Sequence, residues 1–464
     1  MSQSTIARRR SVLLAATAAV AFACAAGPAF AGAFALREQS TVGQGMSFAG
    51  MAAGGGDSIS GMFWNPAVVN QVVHFQGEQH VSGVFPTSDI EVSQATKDTI
   101  GRFTDGLGET GNGGNIGQGA LLAAGYNAYR LTDRIAVGLS VNTPFGLVTD
   151  PRNNWAGQFL ARSSKVLSVN ATPTVGYIVN DWLSVGAGVQ VQYFDIKLRQ
   201  ATPIPGGLPG AALPFLPGAA STKLSGDDIG FGFTAGAILK PIEGTEIGVG
   251  YRSRISHNLK GKLRAEIPPA AGGGVATQKI KADVGLPDSA TIGLRQRVTD
   301  QFTFLAGFEW TNWSKFKSFD VKTRSGGAQV TELPFNYNDG YFASVGGEYA
   351  YNDELTLRAG VAYEWSPIDN KNRTVRLPDD DRWWLSAGAS YAYSDRLGFD
   401  LGYSYVLVPG KSKINEEYPA GIPAVIPGVS DGFNAKSESD VHIVSAAVRY
   451  KFGGDAAPAL VTKY

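Results

Sequence analysis

The sequence predicts an all-β chain: a 14-stranded antiparallel transmembrane β-barrel with an N-terminal hatch, or plug, segment inside its lumen. Three observations carry this expectation. Apolar residues alternate with small or polar ones over stretches of about ten residues, repeated along the chain. Tight acidic turns alternate with long polar or Pro/Gly-rich connections. The composition has 59 glycines and 11% aromatic residues with only 17% charged residues, below the roughly 25% of an ordinary soluble domain. No run of about eighteen apolar residues follows the N-terminal leader, so no transmembrane helix is available.

From the N-terminus, Arg8, Arg9 and Arg10 precede an apolar run from Val12 to Ala26 and a small-x-small site at Ala29-Phe30-Ala31. That reads as a secretory signal peptide over residues 1–31. Cys24 is the only cysteine and falls inside it, so the mature chain can form no disulfide and no thiolate metal site. Ala21, Phe22 and Ala23 lack the aliphatic residue that lipid attachment at Cys24 would want. The formal net charge of zero, with pI near 6.9, argues against a nucleic-acid partner, which would need a basic face.

The strand pattern is plainest from Leu397, where Leu397, Phe399, Leu401, Tyr403 and Tyr405 are apolar and Gly398, Asp400, Gly402 and Ser404 are small or polar. Ile135, Val137, Leu139 and Val141 alternate in the same way, as do Leu355, Leu357, Val361, Tyr363 and Trp365. Tight turns fall at Thr132-Asp133, Asn180-Asp181, Glu243-Gly244, Thr299-Asp300, Asn352-Asp353 and Ser394-Asp395. Each implies a hairpin. With one strand before them and one after, the barrel covers residues 72–452, and residues 453–464 form a C-terminal extension. Short turns on one rim and long loops on the other are what an outer-membrane barrel produces, and an even strand count puts both termini on the periplasmic side.

Residues 32–71 remain outside the strand count. They are rich in small residues, and fourteen strands enclose a lumen too wide for side chains alone to fill. A segment attached at the periplasmic rim can therefore fold inward as a plug. Within it, Asn65-Pro66-Ala67 follows the glycine run Gly54, Gly55 and Gly56. Pro66 fixes the backbone, and the Asn65 amide can bond backbone groups that would otherwise be unpaired, locking the plug to the wall.

At this point the chain resembles a known family, the outer-membrane transporters of long-chain fatty acids and aromatic hydrocarbons (FadL/TodX-like, OmpP1/FadL). The stretches that carry the resemblance are AFALREQSTVGQGMSFAGMAAGGGDSISGMFWNPA, TPFGLVTDPRNNWAGQF, FEWTNWSKF, SPIDNKNRTVRLPDDDRWWLSAG and GKSKINEE. It implies capture of a hydrophobic molecule among extracellular loops, an interior pocket, and lateral release through a gap at a kinked third strand. It further implies that Phe34 reaches the pocket, that Asn65, Pro66 and Ala67 are the hatch tripeptide, and that Phe145 and Gly146 mark the kink. Pro144 supports the last point independently, since it cannot donate to a ladder and Gly146 weakens one. In fatty-acid members a basic residue near the end of the fifth strand and a lysine opening the tenth hold the carboxylate. Here the candidates are Arg199 or Gln200, whichever points inward, and Asn338.

Apolar parity changes after Tyr193, from Val189 and Val191 to Phe194, Ile196 and Leu198. That change means either a bulge or exit from the membrane. The expected ligand is a long-chain fatty acid, with neutral or aromatic hydrocarbons as the alternative and a non-specific diffusion porin as a third reading. Expected partners are outer-membrane lipids and, during biogenesis, the barrel-assembly machinery; the expected state is a monomer. No catalytic residue, metal or cofactor is expected. Gly428-Val429-Ser430-Asp431-Gly432 fits G-x-S-x-G in letters, but it sits in a Pro/Gly loop rather than a strand-turn-helix elbow.

Overall fold

The computed structural model describes residues 32–104, 111–202, 220–267, 273–418 and 432–452. The leader, the C-terminal extension and Ser430 of the G-x-S-x-G stretch lie outside the described residues.

Fourteen strands follow in order: β1 (Phe75–Val92), β2 (Gly114–Asn115 and Ala120–Arg130), β3 (Ile135–Asn142 and Gly146–Thr149), β4 (Ser163–Asn180) and β5 (Leu183–Ala201). Next come β6 (Ser221–Leu239), β7 (Thr245–Arg252 and Ile255–Glu266), β8 (Val275–Leu286 and Ser289–Arg297), β9 (Phe302–Thr311 and Ser318–Thr323) and β10 (Gln329–Pro334 and Gly340–Ala350). The last are β11 (Leu355–Trp365), β12 (Arg382–Ala392), β13 (Leu397–Leu407 and Ser412–Glu416) and β14 (Phe433–Phe452). Each pairs antiparallel with its neighbours, and β14 returns to β1 from Phe75↔Phe452 to Val92↔Ala435. The sheet is closed, which removes the edges an open sheet would expose.

Connections between β2 and β3, β4 and β5, β6 and β7, β8 and β9, β10 and β11, and β12 and β13 are the tight ones, at the acidic dipeptides. Outward side chains between the rims are apolar and exposed, among them Val189, Phe231, Phe233 and Leu401. Toward the other rim the two faces exchange character. On β5 the outward series Val189, Val191, Tyr193 continues as Asp195, Lys197, Arg199, while the inward series becomes Phe194, Ile196, Leu198. The ladder to β6 runs from Leu183↔Leu239 to Ala201↔Ser221 in one register. No bulge intervenes; the parity change is the strand leaving the membrane while its inner face begins to line an apolar cavity.

Residues 32–74 thread the lumen as short turns: an α-helical turn Thr41–Gln44 and 3-10 segments Met51–Ala53, Ser60–Phe63 and Pro66–Gln71. Almost all are buried. Inward-facing glycines of the wall make room for them. A Cβ at Gly248 would overlap the Ala52 carbonyl, and one at Gly250 the Trp64 carbonyl. This is one use of so many glycines: the plug backbone packs directly on the barrel backbone.

Candidate ligand passage

Asn65 is fully buried and uses both ends of its amide. Its Nδ2 donates to the Ala52 carbonyl within the plug at 2.6 Å and to the Ala237 carbonyl of β6 at 2.9 Å. Its Oδ1 accepts from the Ala67 N–H at 3.0 Å, capping the 3-10 segment that Pro66 opens. Asn65-Pro66-Ala67 thus ties plug to plug, plug to wall, and the segment to its own start. Other contacts reach around the barrel: Thr41 N–H donates to His80 on β1 at 3.1 Å, Asn70 Nδ2 to the Val185 carbonyl on β5 at 2.9 Å, and Gln44 Nε2 to the Ile443 carbonyl on β14 at 3.0 Å. Arg37 bridges Glu309 of β9 at 2.8 Å and Glu364 of β11 at 3.3 Å.

β3 is interrupted at the predicted place. Its ladder to β2 covers Arg130↔Ala136 to Gly125↔Val141, then reappears only as the single bridge Gly117↔Thr149. On the other side its register with β4 slips by one residue between Asn142↔Asn170 and Gly146↔Leu167. Pro144 has no N–H to offer, so the strand bows out of the sheet there. The N-terminal residues take the place of β2. Ala35 bridges antiparallel to Phe145, the Leu36 N–H donates to the Pro144 carbonyl at 2.8 Å, and the Gly146 N–H donates to the Phe34 carbonyl at 2.9 Å. Gln39 completes the seal, its Nε2 donating to the Thr143 carbonyl at 2.8 Å and its Oε1 accepting from the Thr143 N–H at 3.1 Å.

Directly beside this break is a small chamber of about 60 Å³ bordered by Ala35, Pro144, Phe145, Trp64 and Pro287. Toward the long loops lies a larger cavity of about 920 Å³, walled by Phe194, Ile196 and Leu198 of β5, Leu224 of β6, and Phe316 and Phe319. Phe34 stands at its floor, with ring centroids 4.9 Å from Trp313, 5.5 Å from Phe316 and 5.9 Å from Phe145. One aromatic side chain of the plug therefore touches both the cavity and the residue that marks the break.

The sequence-expected binding residues separate. Phe34 and Gln200 line the cavity. Arg199, by contrast, is on the outer face of β5, with its Nε donating to Ser221 Oγ at 3.1 Å, because alternation puts it opposite to Gln200. Asn338 is exposed and off the cavity, whose lining at that turn is Asn336 and Tyr337. Three cations of the long β11–β12 connection border the cavity instead, Lys371, Arg373 and Arg376. Arg373 is paired with Asp380 at 2.9 Å, and the one bonded to Gln200 is Arg376. It donates to Gln200 Oε1 and Ser164 Oγ, each at 3.0 Å, and to the Ser163 carbonyl at 3.1 Å. Burial pushes its guanidinium down to about 10, against the pull of Glu416, so it stays charged at neutral pH. Glu416, in the extracellular extension of β13, also faces the cavity and accepts the Val375 N–H at 2.8 Å. Burial pushes its carboxyl up to about 7, despite that hydrogen bond and Arg376.

Residues 22–452 match the family described as "Outer membrane protein transport protein (OMPP1/FadL/TodX)". The "Long-chain fatty acid transport protein" of Salmonella typhi is 28% identical over 403 residues, 83% of this chain and 88% of that protein. In three dimensions a Pseudomonas aeruginosa FadL homologue matches with a TM-score of 0.78 at 24% identity, over 91% of this chain and 100% of the homologue. The Ralstonia pickettii toluene transporter TbuX matches at 0.61 with 18% identity, over 89% and 100% of the two chains. At such identities the structural likeness speaks for the fold. The family match spans the barrel from end to end, and the chain belongs to the outer membrane protein transport family (OMPP1/FadL/TodX) of the bacterial outer membrane.

Proposed function

We propose that the protein takes up hydrophobic molecules, long-chain fatty acids foremost, and releases them sideways into the membrane through the break in β3. A molecule enters the apolar cavity from the loop side, passes the Phe34–Phe145–Trp313 cluster, and reaches the small chamber beside Pro144. The pairing of Phe34–Leu36 with the broken edge of β3 carries this reading. A wall opening stoppered by a plug segment, rather than by the neighbouring strand, can open without unfolding the barrel.

Arg376 favours an ionised headgroup, because the acceptors it bonds are neutral and its charge remains available to a carboxylate. The cavity volume is within the roughly 300–1,000 Å³ usual for small-molecule sites. The Salmonella relative is named for fatty acids, in keeping with this assignment. A second reading, neutral or aromatic hydrophobes, is favoured by Glu332, Glu416 and Glu417, which border the same cavity and would oppose a carboxylate.

Competition binding with a long-chain fatty acid and its methyl ester separates the two. Preference for the free acid by about tenfold is expected, the equivalent of one charge-assisted hydrogen bond. Arg376→Gln should abolish the preference and Arg199→Ala leave it intact. Equal binding of acid and ester by the unaltered protein would establish the neutral-ligand reading instead.

A further inference from the structure

Above the apolar band, the outer faces of β4 to β9 carry cations in direct cross-strand register. Lys165 is opposite Lys197, Arg199 opposite Lys223, and Lys223 opposite Arg264. Farther round the wall Lys260 is opposite Lys281, Lys262 opposite Lys279, and Lys281 opposite Lys322. Like charges placed directly opposite destabilise a sheet, so nothing in the folding of these strands accounts for the arrangement.

The acidic groups of this face are Asp195, Asp227, Asp283, Asp320 and Glu266. Four of them are in the rows nearest the membrane, where Asp195 pairs with Lys197 at 2.8 Å. Glu266 is at the upper rim and accepts the Ser221 N–H at 2.8 Å. Between these levels two successive rows hold no acid: one runs Lys165, Lys197, Ser225, Lys262, Lys279, and the next Ser163, Arg199, Lys223, Arg264, Thr277. Lys165, Lys197, Arg199, Lys223 and Arg264 border an open polar hollow of about 470 Å³, with Glu266 at its upper edge. Across the barrel Lys413 is likewise opposite Lys436, but there acids are interleaved: Lys436 is also opposite Glu91, and Lys411, beside β13, is matched by Glu91 at 3.2 Å and Glu438 at 3.6 Å.

Height identifies what this face meets. On β6 the outward side chains Phe233, Phe231 and Ile229 are lipid-facing and exposed, and Lys223 follows three outward positions beyond Ile229. At about 3.3 Å per residue along the strand, the cationic rows begin within roughly 15 Å of the last lipid-facing side chain, at headgroup level. We propose that these rows are a binding site for a multiply phosphorylated glycolipid headgroup of the outer leaflet, its acyl chains lying against Phe231 and Phe233. Lysine supplies point charge, and Arg199 and Arg264 supply forked donors suited to phosphate. The occupant neutralises the repulsion built into the ladder.

The test uses the detergent-purified protein with lipid A in its bisphosphoryl and monophosphoryl forms as probes, read by native mass spectrometry. The bisphosphoryl form should bind about tenfold or more tightly than the monophosphoryl form. The combined variant Lys223→Gln, Lys262→Gln, Arg264→Gln should lose that affinity by about tenfold or more, whereas Lys411→Gln, Lys413→Gln, Lys436→Gln, which removes the same charge elsewhere, should not. Equal binding of the two lipid A forms, equal losses in the two triple variants, or no loss in the first would each overturn the proposal. Should the first triple fail to show the heat-modifiable mobility of a folded barrel, Lys223→Gln and Lys262→Gln singly replace it. Each is then expected to weaken binding severalfold, and unchanged affinity in both would be equally fatal.

Discussion

Arg376 and Glu416 meet at the cavity from parts of the chain that no short-range pattern connects. Arg376 reaches Gln200, 176 residues away, only because the β11–β12 connection folds over the mouth of β5. Loop residues have no period to read, so the sequence offered Arg199 instead, one position from the residue that does face inward. Phe34 was legible because it stands in a motif, and Gln200 because strand parity left only two choices. Glu416 has a measurable consequence. Its carboxyl is neutral below about 7 and ionised above, so an anionic ligand meets added repulsion only on the alkaline side. An alkyl sulfonate, ionised throughout, should bind more tightly at about pH 6 than at about pH 8, and Glu416→Gln should flatten the profile; a slope that survives the substitution would place the titrating group elsewhere. Asn65 makes a different prediction. Asn65→Ala leaves the buried Ala52 and Ala237 carbonyls and the Ala67 N–H without their amide, costing about 1–3 kcal/mol for each group left unsatisfied. Heat-modifiable mobility should persist because the bonds lost are not strand pairings, while protease accessibility of residues 32–74 and ligand uptake both change.

At the scale of elements, the six tight turns and the alternation between them gave strand number and order directly, since a lipid-facing and a lumen-facing side chain alternate at period two. Their extracellular ends were less readable. There the outer face turns polar and the inner face apolar, as at Tyr193 and Phe194, so an unbroken strand looks like a shifted one. Pro144 and Gly146 announced the break in β3, but not what fills it. Ala35 and Phe145 form a pair whose flanking residues carry the hydrogen bonds, Leu36 to Pro144 and Gly146 to Phe34. In such a non-hydrogen-bonded antiparallel pair the Cα atoms approach to about 4.5 Å, within disulfide range. Ala35→Cys with Phe145→Cys should therefore cross-link the plug to the bowed strand under oxidation. Uptake should then stop and return on reduction, with binding in the large cavity retained. Undiminished uptake by the oxidised protein would mean that ligand leaves by a route other than this break.

For the whole molecule, the barrel and its plug are separable in one respect and inseparable in another. Closure depends on the β1–β14 ladder, which runs the length of both strands and involves no residue of the plug. The lumen, however, is built around residues 32–74: wall glycines such as Gly248 and Gly250 leave space only for backbone, Glu309 finds its cation in Arg37, and Glu364 is shared between Arg37 and Arg382 of the wall. Removing the plug would leave a water-filled bore lined by charges that water can solvate, so the barrel should survive its loss. This separates a gated transporter from an open pore by a single measurement. In planar bilayers the intact protein should pass little ionic current, because the plug bonds to β1, β5, β6 and β14 around the circumference. A variant lacking residues 32–74 and showing heat-modifiable mobility should conduct steadily, as expected of a bore of fourteen strands. Steady conductance by the intact protein, of the same size as that of the variant, would make the plug an ornament and the protein a diffusion pore. A low intact conductance that rises when the buried Asn65 amide is removed would instead tie the permeability barrier to the contact between the plug and β6.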